Sequence, residues 1–160
     1  MKIIDSSFLI AVISDINCEQ LIENLLKLNH ELIVPYSVCH EVIFGKGEKS
    51  FQSMIEKDYF QVVQLNTIEE LGDLQTTYPY LGFGELDTIL TYEKLQAKAY
   101  CVLDDKLARK IAKLRLLPFT GTLGLLKLMK ERFVISNDEY LNALKDLVRS
   151  GFRMPKEFVK

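Results

Sequence analysis

The stretch YCVLDDKLARKIAKL, residues 100–114, passes from a predicted strand through two aspartates into a predicted helix. Residues 100–103 form an apolar run of strand length, and the residues after Asp105 repeat with helical spacing. The helix has an apolar face of Leu107, Ala108, Ile111 and Ala112 and a basic face of Lys106, Arg109, Lys110 and Lys113. A strand that leads through an acidic turn into an amphipathic helix is typical of an α/β fold.

The same alternation of short apolar runs and helical periods continues along the chain and predicts a central parallel sheet. The predicted strands are residues 3–4, 32–34, 61–65, 100–103 and 118–120. The predicted helices are residues 19–28, 38–44, 67–76, 84–98, 105–114 and 136–149, with one more after Gly45 and Gly47. Since no internal repeat or linker interrupts this order, residues 1–160 are predicted to form a single domain.

Two serines are predicted to begin helices. Ser37, in the turn Pro35-Tyr36-Ser37, is predicted to be the N-cap of the helix over residues 38–44. Ser136 and Glu139 have the spacing of a capping box, in which each side chain satisfies a backbone amide of the first helical turn.

The composition is that of an ordinary soluble globular protein. The chain has 160 residues, a formal net charge of -2 and 48% hydrophobic residues. Its three cysteines are odd in number and lack a C-x-x-C pair, which argues against a disulfide framework or a zinc knuckle and favours a cytoplasmic setting. The apolar run Phe8–Ile13 is shorter than the core of a signal peptide or a membrane span.

Charge is strongly segregated along the chain. The formal net charge is -10 for residues 1–93, +7 for residues 94–132 and +1 for residues 133–160. The basic third is able to bind an anionic partner although the whole protein is weakly acidic. The alternative is that these lysines and arginines only solvate helix faces.

Several nucleotide and hydrolase motifs fail on inspection. The segment GKGEKS, residues 45–50, has Glu48 where a phosphate-binding loop requires glycine before the lysine. The segment GFGELD, residues 82–87, has Asp87 where a dinucleotide fingerprint requires its third glycine. No histidine is spaced to serve Ser6 or Ser7 as a base, so a hydrolase triad is not indicated.

Carboxylates occupy the positions where an α/β sheet commonly binds ligands. Asp5 follows the first predicted strand, and Asp104 and Asp105 follow the fourth. Glu41 and Glu85 lie in the first turns of two predicted helices, with Asp87 close to Glu85 as an additional candidate. We expect these side chains to converge at the carboxyl edge of the sheet.

A cluster of oxygen donors suits Mg²⁺ or Mn²⁺, which can activate water and stabilise the leaving oxygen during phosphodiester cleavage. One metal and two metals both fit this pattern. The alternative is that the acids are helix caps and turn residues, a common role for aspartate and glutamate.

Six segments together resemble one family. They are DSSFLI at 5–10, VPYSVCHEV at 34–42, GFGELDTI at 82–89, VLDDKLARKIA at 102–112, FTGTLGLL at 119–126 and LVRSGFRM at 147–154. Their order and spacing resemble the PIN domain family, the fold of VapC-type toxin ribonucleases. FTGTLGLL is similar to the Gly-Thr-Leu-Gly signature of a poorly characterised prokaryotic branch.

The resemblance implies a Rossmann-like three-layer α/β/α sandwich and a Mg²⁺- or Mn²⁺-dependent endoribonuclease that cleaves single-stranded RNA. It implies a homodimer and, in toxin members, inhibition by a small antitoxin protein. The implied metal-binding and catalytic residues are Asp5, Glu41, Glu85, Asp104 and Asp105, and the candidate RNA phosphate contacts are Lys106, Arg109, Lys110 and Lys113.

Two positions differ from many toxin members. Glu85 stands where aspartate is common, and Leu103 stands where a hydroxyl residue is often found. The choice between Asp104 and Asp105 as direct ligand therefore stays open.

Two other functions are compatible with parts of this pattern. A catalytically weak PIN-like protein that binds RNA or a partner protein has the same residues. A phosphoacceptor receiver domain fits less well, because it requires an acid pair after the first strand and a lysine after the fifth, where this chain has Thr120-Gly121-Thr122.

Overall fold

The structure is a computed structural model that describes residues 1–16, 18–28, 31–44, 48–95 and 99–155. Within these residues five strands form one parallel sheet in the order β3-β2-β1-β4-β5. The strands are β1 Lys2–Ile4, β2 Leu32–Pro35, β3 Gln61–Val63, β4 Tyr100–Val102 and β5 Phe119–Thr120. The predicted parallel sheet is confirmed.

Strand β3 is two residues shorter than predicted. It pairs only with β2, and the last pair joins Pro35 to Val63. Because the chain turns into a helix directly after Pro35, residues 64 and 65 have no neighbouring strand to bond.

Nine helices are present in the described residues. They are α1 Ser6–Leu9, which continues as a π-helical segment over Ile10–Asp15, α2 Glu19–Lys27, α3 Tyr36–Ile43, α4 Glu48–Glu56, α5 Ile68–Thr77, α6 Phe83–Leu95, α7 Lys106–Leu114, α8 Thr122–Glu131 and α9 Asn137–Arg149. The predicted glycine break at 45–47 and the predicted end of a helix at 96–98 lie outside the described residues.

The capping box at Ser136 is confirmed, with both reciprocal hydrogen bonds formed to Glu139. The predicted N-cap at Ser37 is wrong. Helix α3 begins two residues earlier than predicted, at Tyr36, and its N-cap position is Pro35, which has no side-chain hydrogen bond to offer. The Ser37 amide instead donates to Oδ2 of Asp87, 50 residues away, at 3.0 Å.

The sheet is the middle layer of a three-layer α/β/α sandwich. On one face Ile4, Val34 and Val102 pack in a core with helices α1–α4, α8 and α9. On the other face Ile3 and Cys101 lie in clusters with α5, α6 and α7. Successive strand residues thus alternate between two buried faces, as expected of a parallel sheet covered on both sides.

The three cysteines, Cys18, Cys39 and Cys101, all lie among the described residues and are free. No helix in the described ranges is both long enough and apolar enough to cross a membrane.

Candidate functional site

The carboxyl edge of the sheet places acids at the ends of two adjacent strands. Asp5 directly follows β1 and is the N-cap of α1, and Asp104 and Asp105 follow β4, which is hydrogen-bonded to β1. Glu85 lies in the first turn of α6, as predicted. Glu41 lies in the second turn of α3 and not in the first, because α3 begins two residues earlier than predicted.

Asp5 is completely buried. Its Oδ2 accepts hydrogen bonds from the Ser7 hydroxyl at 2.6 Å and from the Ser7 amide at 3.3 Å. Its Oδ1 has no hydrogen-bond partner among the described residues. Burial raises the pKa of Asp5 to about 7, against the opposing effect of Ser7 and with a further contribution from the negative charge of Glu85. An unpartnered, buried carboxylate oxygen is rare, and a bound cation would satisfy it.

Glu41 and Glu85 border the same glycine-lined gap. The Gly84 amide donates to Oε1 of Glu41 at 2.9 Å. A Cβ placed on Gly82 would lie 2.7 Å from Oε2 of Glu85 and 3.8 Å from Oε1 of Glu41, so both carboxylates border the same small space. Burial raises the pKa of Glu85, and the charges of Glu41 and Asp105 raise it further. Asp5, Glu41, Glu85 and Asp105 are therefore linked by mutual repulsion, which a cation would relieve.

Asp104 is held by hydrogen bonds on both oxygens. The Thr122 amide donates to Oδ1 at 3.1 Å, and the Thr122 hydroxyl donates to Oδ2. Arg109 Nη2 donates to Oδ1 at 2.9 Å, while its Nε donates to the Leu103 carbonyl at 2.6 Å. Asp104 thus joins the end of β4 to the start of α8 and to the middle of α7.

Asp105 is exposed and is the N-cap of α7. Its Oδ1 accepts from the amides of Leu107 at 2.7 Å and Ala108 at 2.8 Å. Within the described residues all of its side-chain hydrogen bonds fall on Oδ1, which leaves Oδ2 toward solvent.

Asp87 belongs to a buried polar network that the sequence reading did not find. Its Oδ2 accepts from the Ser37 amide, and its Oδ1 accepts from Asn66 Nδ2 at 2.6 Å and from the Thr91 hydroxyl at 3.3 Å. Asn66 is separated from Asp87 by 21 residues, and no local pattern marks it as a partner.

Lys106, Lys110 and Lys113 are exposed on α7, and the helix begins directly after Asp105. Arg109, which was predicted to lie on the same basic face, is half-buried and forms an ion pair with Asp104. The structure therefore places three exposed lysines, which form no ion pair within the described residues, and one ion-paired arginine on the helix that follows Asp105.

The donor set fits a hard divalent cation, although the ligands are not drawn together. In the part of the chain that the structure describes, no group of three or more His, Cys, Asp or Glu side chains lies close enough to hold a metal ion. The unpartnered Oδ1 of Asp5 and the glycine-lined gap between Glu41 and Glu85 both suit an oxygen-ligated cation such as Mg²⁺ or Mn²⁺.

A family model described as a PIN domain matches residues 1–160. The chain belongs to the PIN domain family. The fold of this family is a nuclease-type fold. Neither the curated proteins nor the solved structures contain a significant match to the chain.

Gly121 and Thr122 lie at the junction of β5 and α8, next to Asp104. Thr122 supplies two of the hydrogen bonds to Asp104, and the Arg109 guanidinium lies in the space that a side chain on Gly121 would need. In this PIN domain the glycine and threonine therefore close the turn between β5 and α8 over the end of β4.

Proposed function

We propose that this PIN domain is a metal-dependent endoribonuclease that cleaves single-stranded RNA, with residues 1–160 acting as one domain. The observation that carries the proposal is Asp5. Besides capping α1, this buried carboxylate has one oxygen without a hydrogen-bond partner among the described residues. It lies at the carboxyl edge of a parallel sheet and within electrostatic reach of Glu85, so it is suited to a cation.

Asp5, Glu41 and Glu85 would hold Mg²⁺ or Mn²⁺. Asp105 is the better fourth candidate, because Asp104 is already hydrogen-bonded through both oxygens. The bound ion would supply an activated water and stabilise the leaving oxygen of the phosphodiester. Asp104, with Arg109 and Thr122, fixes the turn that carries Asp105.

The three exposed lysines of α7 would contact RNA phosphates. Lys106, Lys110 and Lys113 extend from the turn after Asp105 along one helix, so a strand lying on them would pass beside the acids. Such contacts position the backbone without reading sequence. Arg109 serves this surface indirectly, since its guanidinium holds Asp104.

An RNA cleavage assay with Mn²⁺ tests the proposal. The Asp5→Asn variant keeps the size of the side chain but replaces the unpartnered carboxylate, and we expect it to lose cleavage at least a hundredfold. Asp73→Asn, an exposed acid on α5, is the matched control and should cleave as the wild type does. Equal cleavage by wild type and Asp5→Asn, in preparations free of contaminating nuclease, would contradict the assignment.

The second candidate function is a PIN domain that binds RNA or a protein without cleaving. It is favoured by the ligand geometry, because the described acids do not form a closed metal cluster. Mn²⁺ binding without turnover of any RNA would support it. A homodimer and an inhibitory antitoxin remain proposals that follow from the family, and a short neighbouring gene would support the antitoxin.

A further inference from the structure

A cavity of about 360 Å³ opens between the starts of α3 and α6, next to the acids. Tyr36 and Phe83 line it, together with Ile68 and Leu71 of α5, and Glu41 belongs to both this cavity and the acidic site. Its volume lies at the lower end of the range for small-molecule sites.

The aromatic rings in this cavity are open to solvent. Tyr36 is 49% exposed and Phe83 is 40% exposed, whereas Leu71 at the base is buried. Exposed apolar side chains that cluster around a cleft are typical of ligand-binding grooves, whereas single exposed ones are common on any protein surface.

Two long-range hydrogen bonds fix the backbone next to the two aromatic residues. Ser37 follows Tyr36 in the chain, and its backbone amide donates to the Asp87 side chain of α6. Gly84 follows Phe83, and its backbone amide donates to the Glu41 side chain of α3. Each bond joins α3 to α6 next to one of the two rings. The cavity is therefore preorganised, and a ligand would not have to order its walls.

We propose that this cavity binds one unstacked nucleobase of the RNA substrate, an inference that rests on the proposed nuclease function. A base has apolar faces and polar edges. The cavity offers aromatic and aliphatic walls together with the Ser37 hydroxyl and the His40 imidazole as polar groups. Proteins that bind single-stranded nucleic acid stack bases on aromatic side chains in this way.

Continuity with the acidic site favours a base over a protein segment. Glu41 lines the cavity, and its carboxylate also borders the gap shared with Glu85. A nucleotide whose base occupies the cavity would have its own phosphate beside the acids and their cation. The base site would thus select unpaired RNA and set which phosphodiester lies at the acids.

Binding of single nucleotides tests the inference without cleavage. The probes are AMP, CMP, GMP and UMP, with ribose 5-phosphate as the baseless control, added to ¹⁵N-labelled protein in EDTA. We expect at least one nucleotide, at millimolar concentration, to shift the backbone amides of residues 36–41 and 83–85, and ribose 5-phosphate to leave them unchanged. Equal shifts from ribose 5-phosphate, or no nucleotide shift in these segments, would overturn the proposal.

Aromatic truncation provides the second arm. Tyr36→Ala and Phe83→Ala should each raise the dissociation constant of the binding nucleotide about 5-fold or more, the loss expected for one stacked ring. Phe133→Ala is the control, because Phe133 is 94% exposed at the far end of α8 from Asp104. A similar effect from Phe133→Ala would overturn the proposal. The proposal would also be overturned if the wild-type protein were a dimer that binds no nucleotide and that the Tyr36→Ala substitution dissociates. The cavity would then be an interface between two copies of the chain.

The nuclease and base-site proposals fail in distinguishable ways. If Asp5→Asn abolishes cleavage but Tyr36→Ala and Phe83→Ala leave the KM for RNA unchanged, the nuclease proposal is supported and the base-site proposal is wrong. If nucleotides bind as stated but Asp5→Asn cleaves RNA as well as the wild type does, the base-site proposal is supported and the nuclease proposal is wrong.

Discussion

The Arg109 guanidinium and the Asp104 carboxylate form an ion pair of 2.9 Å that covers Gly121. The same carboxylate accepts hydrogen bonds from Thr122, so the pair holds the ends of β4 and β5 together. This small assembly places Asp105, the next residue, at the start of α7 and at the edge where the acids meet.

Gly121→Ala should destabilise the protein by about 1–3 kcal/mol, because its Cβ would collide with the Arg109 guanidinium and would lie 2.5 Å from Oδ1 of Asp104. Urea denaturation measures the change. The control is Gly72→Ala in α5, where a Cβ meets no atom within 4 Å and the helix should gain about 0.5–1 kcal/mol. Equal effects of the two variants would contradict the packing around Gly121.

Gly84→Ala should weaken Mn²⁺ binding about tenfold or more and change the stability less than Gly121→Ala does. The new Cβ would lie 2.6 Å from Oε2 of Glu41, a flexible carboxylate that can swing away from the gap it shares with Glu85. Calorimetric titration and a thermal melt separate the two effects. An unchanged Mn²⁺ affinity in a folded Gly84→Ala protein would exclude Glu41 as a ligand held by this contact.

The raised pKa of Asp5 should make the stability of the metal-free protein depend on pH. Burial raises its pKa from 3.8 to about 7, so between these values the folded state binds more protons than the unfolded state. The free energy of unfolding should therefore fall as pH rises through this window and level off above about pH 7.

Asp5→Asn stays neutral and removes this dependence. Its stability relative to wild type in EDTA should increase from pH 5 to pH 8, by up to roughly 3 kcal/mol. Urea denaturation at the two pH values measures the difference. A difference that does not change with pH would mean that Asp5 titrates at its ordinary value.

Asp87→Ala should destabilise the protein by about 2–4 kcal/mol, because it leaves the Ser37 amide without its buried acceptor and removes the shortest of the three hydrogen bonds that Asn66 Nδ2 donates. Asp73→Ala is the exposed control and should stay within about 0.5 kcal/mol of wild type. Asp87→Asn tests the metal question: we expect its Mn²⁺ affinity to match that of wild type. A folded Asp87→Asn protein with greatly weakened Mn²⁺ binding would identify Asp87 as a ligand instead.

The features that the sequence predicts correctly depend on neighbours in the chain. The strand, acidic turn and amphipathic helix of residues 100–114 follow from local periodicity, and the Ser136 capping box follows from a spacing of three residues. The position of Asp5 and Asp105 at one edge follows from the parallel order of the strands.

The features that the sequence reading missed depend on contacts between distant residues. Helix α8 begins at Gly121-Thr122, a pair with little helical preference, and its first amide is satisfied by Asp104, 18 residues earlier. The Ser37 N-cap fails for the same reason, since Asp87 takes its place from another helix. The hydrogen-bond partners likewise distinguish Asp104, whose two oxygens both accept hydrogen bonds, from Asp105, which accepts only through Oδ1 among the described residues. The sequence does not contain this difference.

A calorimetric titration with Mn²⁺ tests most directly whether the acids at the carboxyl edge hold a cation. Wild-type protein and the Asp73→Asn control should bind Mn²⁺ with the same affinity at pH 8, and Asp5→Asn should bind at least tenfold more weakly while remaining folded. Equal Mn²⁺ affinity in wild type and Asp5→Asn, or no binding by wild type, would contradict the account.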